Sequence, residues 1–165
     1  MRKTSEKIYL DSCILISYFS KNSSEKKKKN QLISALKRIN KLRLDIDLFA
    51  SRWAIAEMMN ILTSNHGMSN KKVLEIESEL LNGHRIENIK INVVDVGSQD
   101  DYDFSEFFRD VRKIILKYHP GVGDAIHSVI MNNHKIKKVM TFDDDFNSMD
   151  GITVLKPNDF IQQKT

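Results

Sequence analysis

Apolar and polar residues change phase repeatedly along this chain, and each change marks an element. "KIYLDSCILI" (7–16) is an apolar run with one acid inside it, which predicts a buried strand passing into a helix after Asp11. The polar, basic "SKNSSEKKKKN" (20–30) predicts a loop or the exposed start of a helix. Leu32, Ile33, Leu36 and Ile39 then recur at helical spacing, so 31–43 reads as an amphipathic helix. "LDIDLFA" (44–50) alternates apolar and acidic residues, as a short strand does. Ser51 can cap the next helix, "RWAIAEMMNILT" (52–63), and Gly67 stops it. Ser69 or Asn70 caps a further helix to about Leu81, ended by Asn82-Gly83. "INVVDV" (91–96) is a β-branched strand, "GSQDDYD" (97–103) a loop, and Phe104 to Tyr118 a helix broken by His119-Pro120-Gly121. Asp124 opens a helix over 124–133, Val139 to Phe142 is a strand, and "ITVLKP" (152–157) is a last strand closed by Pro157. Strands alternating with helices predict an α/β fold: three layers, with a central parallel sheet covered on both faces.

Length and composition narrow this picture. The 165 residues suit one domain over 1–165 with a core of its own and a flexible start at 1–6. The single cysteine, Cys13, excludes a disulfide framework and multi-cysteine zinc modules. No apolar run approaches the ~20 residues of a membrane span, and Asp11 interrupts the only early candidate for a signal segment. The expected location is therefore the cytoplasm, with no membrane partner. The net charge of +4 hides an asymmetry. Residues 1–43 carry 12 Lys/Arg against 3 Asp/Glu, and 44–165 carry 14 against 19. A basic quarter beside an acidic remainder fits a polyanion partner next to an acidic site, although a solvated basic face explains the lysines equally well.

The acids are placed with more purpose. In open parallel sheets, sites form beyond the carboxyl ends of strands. Asp11 follows "IYL" and Asp143 follows "VMTF". Asp124 stands at a helix start, where a carboxylate suits the helix dipole. Glu57 sits in a mostly apolar helix, among Trp53, Ala54, Met58 and Ile61. If the four converge, pairs ~5 Å apart repel by about 3 kcal/mol at an effective dielectric of ~20, so the cluster must take up protons or hold a cation. Oxygen ligands suit a hard divalent ion, Mg²⁺ or Mn²⁺, which activates water for attack on a phosphodiester.

Four blocks carry a resemblance: "IYLDSCILISYF", "SRWAIAEMMN", "GVGDAIHSVIM" and "VMTFDDDF". In order and rough spacing they resemble the signature blocks of PIN-domain nucleases, in particular the small VapC-like toxin ribonucleases. The matching positions are Asp11 with Ser12, Glu57, Asp124, and Thr141, Asp143 and Phe146, with Asp145 as a frequent extra acid. The resemblance implies a parallel sheet of about five strands, Mg²⁺ or Mn²⁺ dependence, and cleavage of single-stranded RNA to 5′-phosphate and 3′-hydroxyl ends. It also implies an antitoxin partner if the chain is the toxin of a toxin–antitoxin pair. The alternative is a PIN fold used as a non-catalytic RNA-binding or scaffolding module.

Each residue has a plainer explanation beside this one. Glu57 can pair with Arg52 on a solvated face, and Asp145 can cap a helix instead of serving as a further metal ligand. Asp144 is a surface turn residue. His127 shares a helix face with Asp124; it can touch substrate, but a hydrogen-bonded, half-buried histidine is the simpler expectation. Ser12 and Thr141 are expected to bond metal ligands or waters. Trp53, Met58 and Met59 suit the core or a homodimer interface. A phosphatase with Asp-x-Asp is excluded by Cys13, and "GVGDAI" lacks the third glycine of a dinucleotide-binding turn.

Overall fold

The computed structural model describes residues 5–97 and 103–162. Six strands and seven helices follow one another in the order β1 (Glu6–Leu10), α1 (Ser12–Phe19), α2 (Lys26–Lys41), β2 (Ile46–Ser51), α3 (Arg52–Ser64), α4 (Asn70–Leu81), β3 (Arg85–Ile86), β4 (Ile89–Val94), α5 (Phe104–Tyr118), α6 (Val122–Asn133), β5 (Lys138–Met140), β6 (Thr153–Leu155) and α7 (Pro157–Gln162). The sheet order is β3-β4-β2-β1-β5-β6. β4, β2, β1, β5 and β6 are parallel, and β3 pairs antiparallel with β4 at the edge.

Alternation along each strand sorts the core into two layers. Ile8, Leu10, Leu48, Ala50, Ile91 and Met140 face one way, against α1 to α4 and α7. Tyr9, Phe49 and Val139 face the other way, against Phe107 and Val111 of α5 and Ile126, Val129 and Ile130 of α6. The chain leaves β1 for β2 and β4 on one side and returns to β5 and β6 on the other. The carboxyl ends of β1 and β5 therefore flank the point where the winding reverses, the place in such sheets where a crevice opens.

Several expected boundaries move. The five parallel strands are present, and the sixth, β3, lies in a hairpin whose turn puts Glu87 and Asn88 at positive φ (47° and 68°). α2 begins at Lys26 instead of 31, because lysines are good helix formers and their heads stay in water. β5 stops at Met140, so Phe142 and Asp143 belong to the turn that follows. Pro157 does not merely close β6: it is the first residue of α7, a position proline favours. α6 starts at Val122, which puts Asp124 in its first turn. Of the expected flexible start, residues 1–4 lie outside the described residues, and Glu6 is already in β1. Of the 97–103 loop, 98–102 lie outside them.

Candidate active site

Asp11 ends β1 and caps α1, and only 5% of it is exposed. Its Oδ1 accepts the Ser12 N–H at 2.6 Å, and its Oδ2 accepts the Thr141 hydroxyl at 2.7 Å and the Cys13 thiol at 3.2 Å. Thr141, fully buried, also accepts the Asp143 N–H at 3.0 Å. One hydroxyl thus joins the end of β1 to the turn after β5, and it explains why a threonine stands two residues before Asp143. Ligand atoms of Asp11, Cys13 and Asp143 lie within 4.8 Å of one another.

Glu57 reaches the same place from α3. Its Oε2 lies 2.8 Å from His127 Nε2, which is also 3.7 Å from Asp11 Oδ1. Burial works against its charge, but hydrogen bonds from His127, Ser12 and Trp53 outweigh that and hold its pKa below the usual carboxylate range. Arg52 is not its partner: the guanidinium turns to Asp95 at 2.5 Å. Glu57 Oε1 lies over the first turn of α6, where a Cβ on Gly123 would come within 2.9 Å of it.

Asp124 approaches from that same turn. No described donor bonds its carboxylate. Burial, with the charges of Asp145 and Asp11 next in weight, raises its pKa to about 6. Asp145, exposed at the start of a short 3₁₀ turn (Asp145–Ser148), is thus close enough to act on Asp124, and it caps no helix. Asp144 points outward and pairs with Lys156 at 2.8 Å. Lys28, on α2, lies over the Phe142 ring at 5.6 Å, beside Asp143.

Asp11 is common to the acids singled out in the sequence: Asp143 shares a 4.8 Å group with it, Glu57 meets it through His127, Asp124 feels its charge with those of Asp145 and Glu57, and Ser12 and Thr141 bond it. His127 is more deeply placed than expected, at 1% exposure. Three contributors escaped the sequence reading. Cys13 donates to Asp11, and burial followed by the Asp11 charge pushes its pKa well up, so the sulfur keeps its proton. Tyr9 bonds His127 from below, and Ser51 bonds Tyr9. The available signal was parity: Tyr9 lies two residues before Asp11, on the same side of the strand.

The family model of the PIN domain matches residues 8–152. The chain belongs to the PIN domain family. That family is one of nucleases, and a nuclease is what an acidic cluster at this point of the sheet suits. No curated protein matches the sequence. Among the solved structures that share the fold of this chain are the following three. VapC20 of Mycobacterium tuberculosis, a sarcin-ricin loop cleaving toxin, is 10% identical with a TM-score of 0.59, over 87% of this chain and 95% of its own. VapBC2 from Rickettsia felis, bound to a DNA fragment from its promoter, is 10% identical with a TM-score of 0.56, over 91% and 98%. A toxin–antitoxin complex from Klebsiella pneumoniae is 16% identical with a TM-score of 0.53, over 91% and 97%. At such identities the likeness is one of fold.

Proposed function

We propose that this PIN domain is a divalent-metal-dependent endoribonuclease and the toxin of a toxin–antitoxin pair. The observation that carries the reading is the convergence of Asp11, Glu57, Asp124 and Asp143 at the reversal point of the sheet, with Asp124 left without a donor and its pKa raised to about 6. Such a carboxyl is short of positive charge, and a cation supplies it. The donors fit a hard ion. They are carboxylate oxygens, and the one sulfur among them, Cys13, is protonated and occupied with Asp11. Mg²⁺ or Mn²⁺ is the matching choice.

Asp11, Asp124 and Asp143 would hold the ion, and Asp145 would serve as a further ligand at the margin. When bound, such an ion supplies an activated water and neutralises phosphodiester charge. Glu57, held ionised by His127, Ser12 and Trp53, either orients the attacking water as an acceptor or contributes to a second ion. Thr141 fixes the spacing of Asp11 and Asp143. Lys28 and Lys156 stand beside the turn that carries Asp143 and would meet phosphates of a single RNA strand without reading its bases. The products would carry 5′-phosphate and 3′-hydroxyl ends. An antitoxin partner follows from the fold shared with toxin–antitoxin complexes, and a homodimer from apolar side chains such as Trp53 left at the surface. No helix among the described residues is long and apolar enough to cross a membrane, and we place the protein in the cytoplasm.

The test is cleavage of single-stranded RNA with Mg²⁺, with Mn²⁺ and with chelator, with the product ends identified. Ion-dependent cleavage is expected. RNA binding without cleavage under any ion would favour a non-catalytic RNA-binding module.

A further inference from the structure

A line of polar side chains runs through the core beneath the acids. Ser51 Oγ and the Tyr9 hydroxyl are 2.5 Å apart, the Tyr9 hydroxyl and His127 Nδ1 2.7 Å, and His127 Nε2 and Glu57 Oε2 2.8 Å. Ser51 and Tyr9 are fully buried and His127 is 1% exposed. Buried polar groups must be paired, so the direction of each bond can be worked out. A carboxylate oxygen accepts, so at 2.8 Å His127 Nε2 carries a hydrogen and donates it to Glu57 Oε2. In a neutral imidazole Nδ1 then accepts, and the Tyr9 O–H donates to it. The Tyr9 oxygen in turn accepts the Ser51 hydroxyl, whose oxygen accepts the Ala54 N–H at 3.0 Å. Every group is used once. The reverse direction leaves the Ser51 hydroxyl hydrogen without an acceptor among the described residues.

The line closes on itself. It starts at Ser51 and Ala54, at the first turn of α3, passes through β1 and α6, and returns to Glu57 on α3. We infer that Tyr9 and Ser51 are positioning residues for Glu57: their hydroxyls set the tautomer of His127, whose Nε2–H then holds the Glu57 carboxylate over the first turn of α6. What Glu57 does once held rests on the nuclease reading; the way it is held does not. Tyr9 comes near no reacting atom and acts only through His127. His127 is one bond removed from Glu57 and Tyr9 two; losing a direct partner of a metal's ligand typically changes metal affinity or activity about 10–100-fold, so the lower end of that range is expected for Tyr9.

Two readouts on the full chain test this, and neither needs RNA. The first is the nitrogen NMR signature of His127 in metal-free protein. The parent should show a protonated Nε2 and a bare Nδ1, and Tyr9→Phe should move both signals toward a mixture of tautomers. The second is Mn²⁺ binding. Tyr9→Phe should weaken it about tenfold, the lower end of the range for a direct partner. His127→Gln, whose amide nitrogen stands near Nε2, should keep more of it than His127→Asn, whose amide stands near Nδ1. Melting temperature separates positioning from structure: a Tyr9→Phe protein that loses Mn²⁺ affinity only as far as it unfolds would overturn the inference. So would a parent with the hydrogen on Nδ1, or a Tyr9→Phe protein with the parent's signature and affinity. If the parent binds no Mn²⁺, the nuclease reading falls and the NMR signature alone decides the positioning.

Discussion

Asp11 receives a backbone N–H, a hydroxyl and a thiol within 3.2 Å, while Asp124, on the opposite side of the same cluster, receives no described donor. Both are carboxylates among other acids, Asp11 buried and Asp124 about half-buried. The fold itself supplies Asp11 with hydrogen-bond donors, whereas it leaves the carboxylate of Asp124 to be met from outside. A metal site can thus be assembled before its metal arrives, provided some members are tied to the protein and others stay uncompensated. The tied members fix the geometry, and the uncompensated ones supply the drive to bind.

The difference can be tested by treating the two alike. Asp11→Asn removes a charge that the ion needs and should cost about 10³-fold or more in cleavage, the several kcal/mol such a charge contributes. Without metal it should also destabilise by about 1–3 kcal/mol, since converging donors lose part of their acceptor. Asp124→Asn should abolish cleavage equally but stabilise the metal-free protein. If both changes move the melting temperature the same way, the contrast fails.

A smaller perturbation acts on geometry alone. Gly123→Ala should favour α6 by up to about 1 kcal/mol, as alanine does over glycine in a helix. Its new methyl would press on Glu57 Oε1, the far end of a long side chain, so the cost falls on position and not on folding. The expected outcome is equal or higher thermal stability with cleavage reduced about tenfold, the scale of losing a metal ligand's support. Unchanged cleavage would mean that Glu57 tolerates displacement.

Acidity separates the two carboxylates again. The folded-state pKa of Asp124, about 6, lies above its ordinary 3.8. Its proton is therefore bound more tightly in the folded chain. The stability this contributes is fully present below about pH 4 and is lost as pH rises through about 6. From pH 7 to pH 4.5 the metal-free protein should gain about 1–2 kcal/mol from this group, discounted because the carboxyl is half exposed. Asp124→Asn should remove that gain. Mn²⁺ affinity should fall over the same range, because ion and proton compete for one group. Denaturant melts at the two pH values and a parallel Mn²⁺ titration check both.

The weakest effect is expected from the lysines at the start of α2, which would meet phosphates and not the ion. Changing Lys26, Lys27, Lys28 and Lys29 to Gln should lower RNA affinity a few-fold and flatten its salt dependence, leaving the turnover of bound RNA intact. An unaltered salt slope would make this run an ordinary solvated face.

Much of this was legible in the sequence. Asp11 betrayed itself as a charge inside an apolar run, and Ser51 and Ser69 capped the helices they were expected to cap. What stayed hidden had physical reasons. β3 is two residues long, and its turn uses Glu87 at positive φ, where glycine or asparagine would have signalled it. α2 begins in four lysines with no apolar periodicity, so the sequence left open whether 20–30 was a loop or the exposed start of this helix. The support of Asp11 was the largest gap. The sequence suggested that losing its charge would relieve repulsion; Thr141 was expected to bond a ligand, but nothing local announced that Cys13 would join it on Asp11. Pairing across 130 positions is settled by the sheet register, not by spacing.

The protonated sulfur beside Asp11 has a consequence for reagents. Thiolates, not thiols, react with alkylating and oxidising agents. Burial and the adjacent charge keep Cys13 in the thiol form, so the native protein should resist iodoacetamide far longer than an exposed cysteine would. Modification would then mark the moments when the end of β1 parts from the turn after β5. The protein's only sulfhydryl becomes a built-in clock for the opening of its own site.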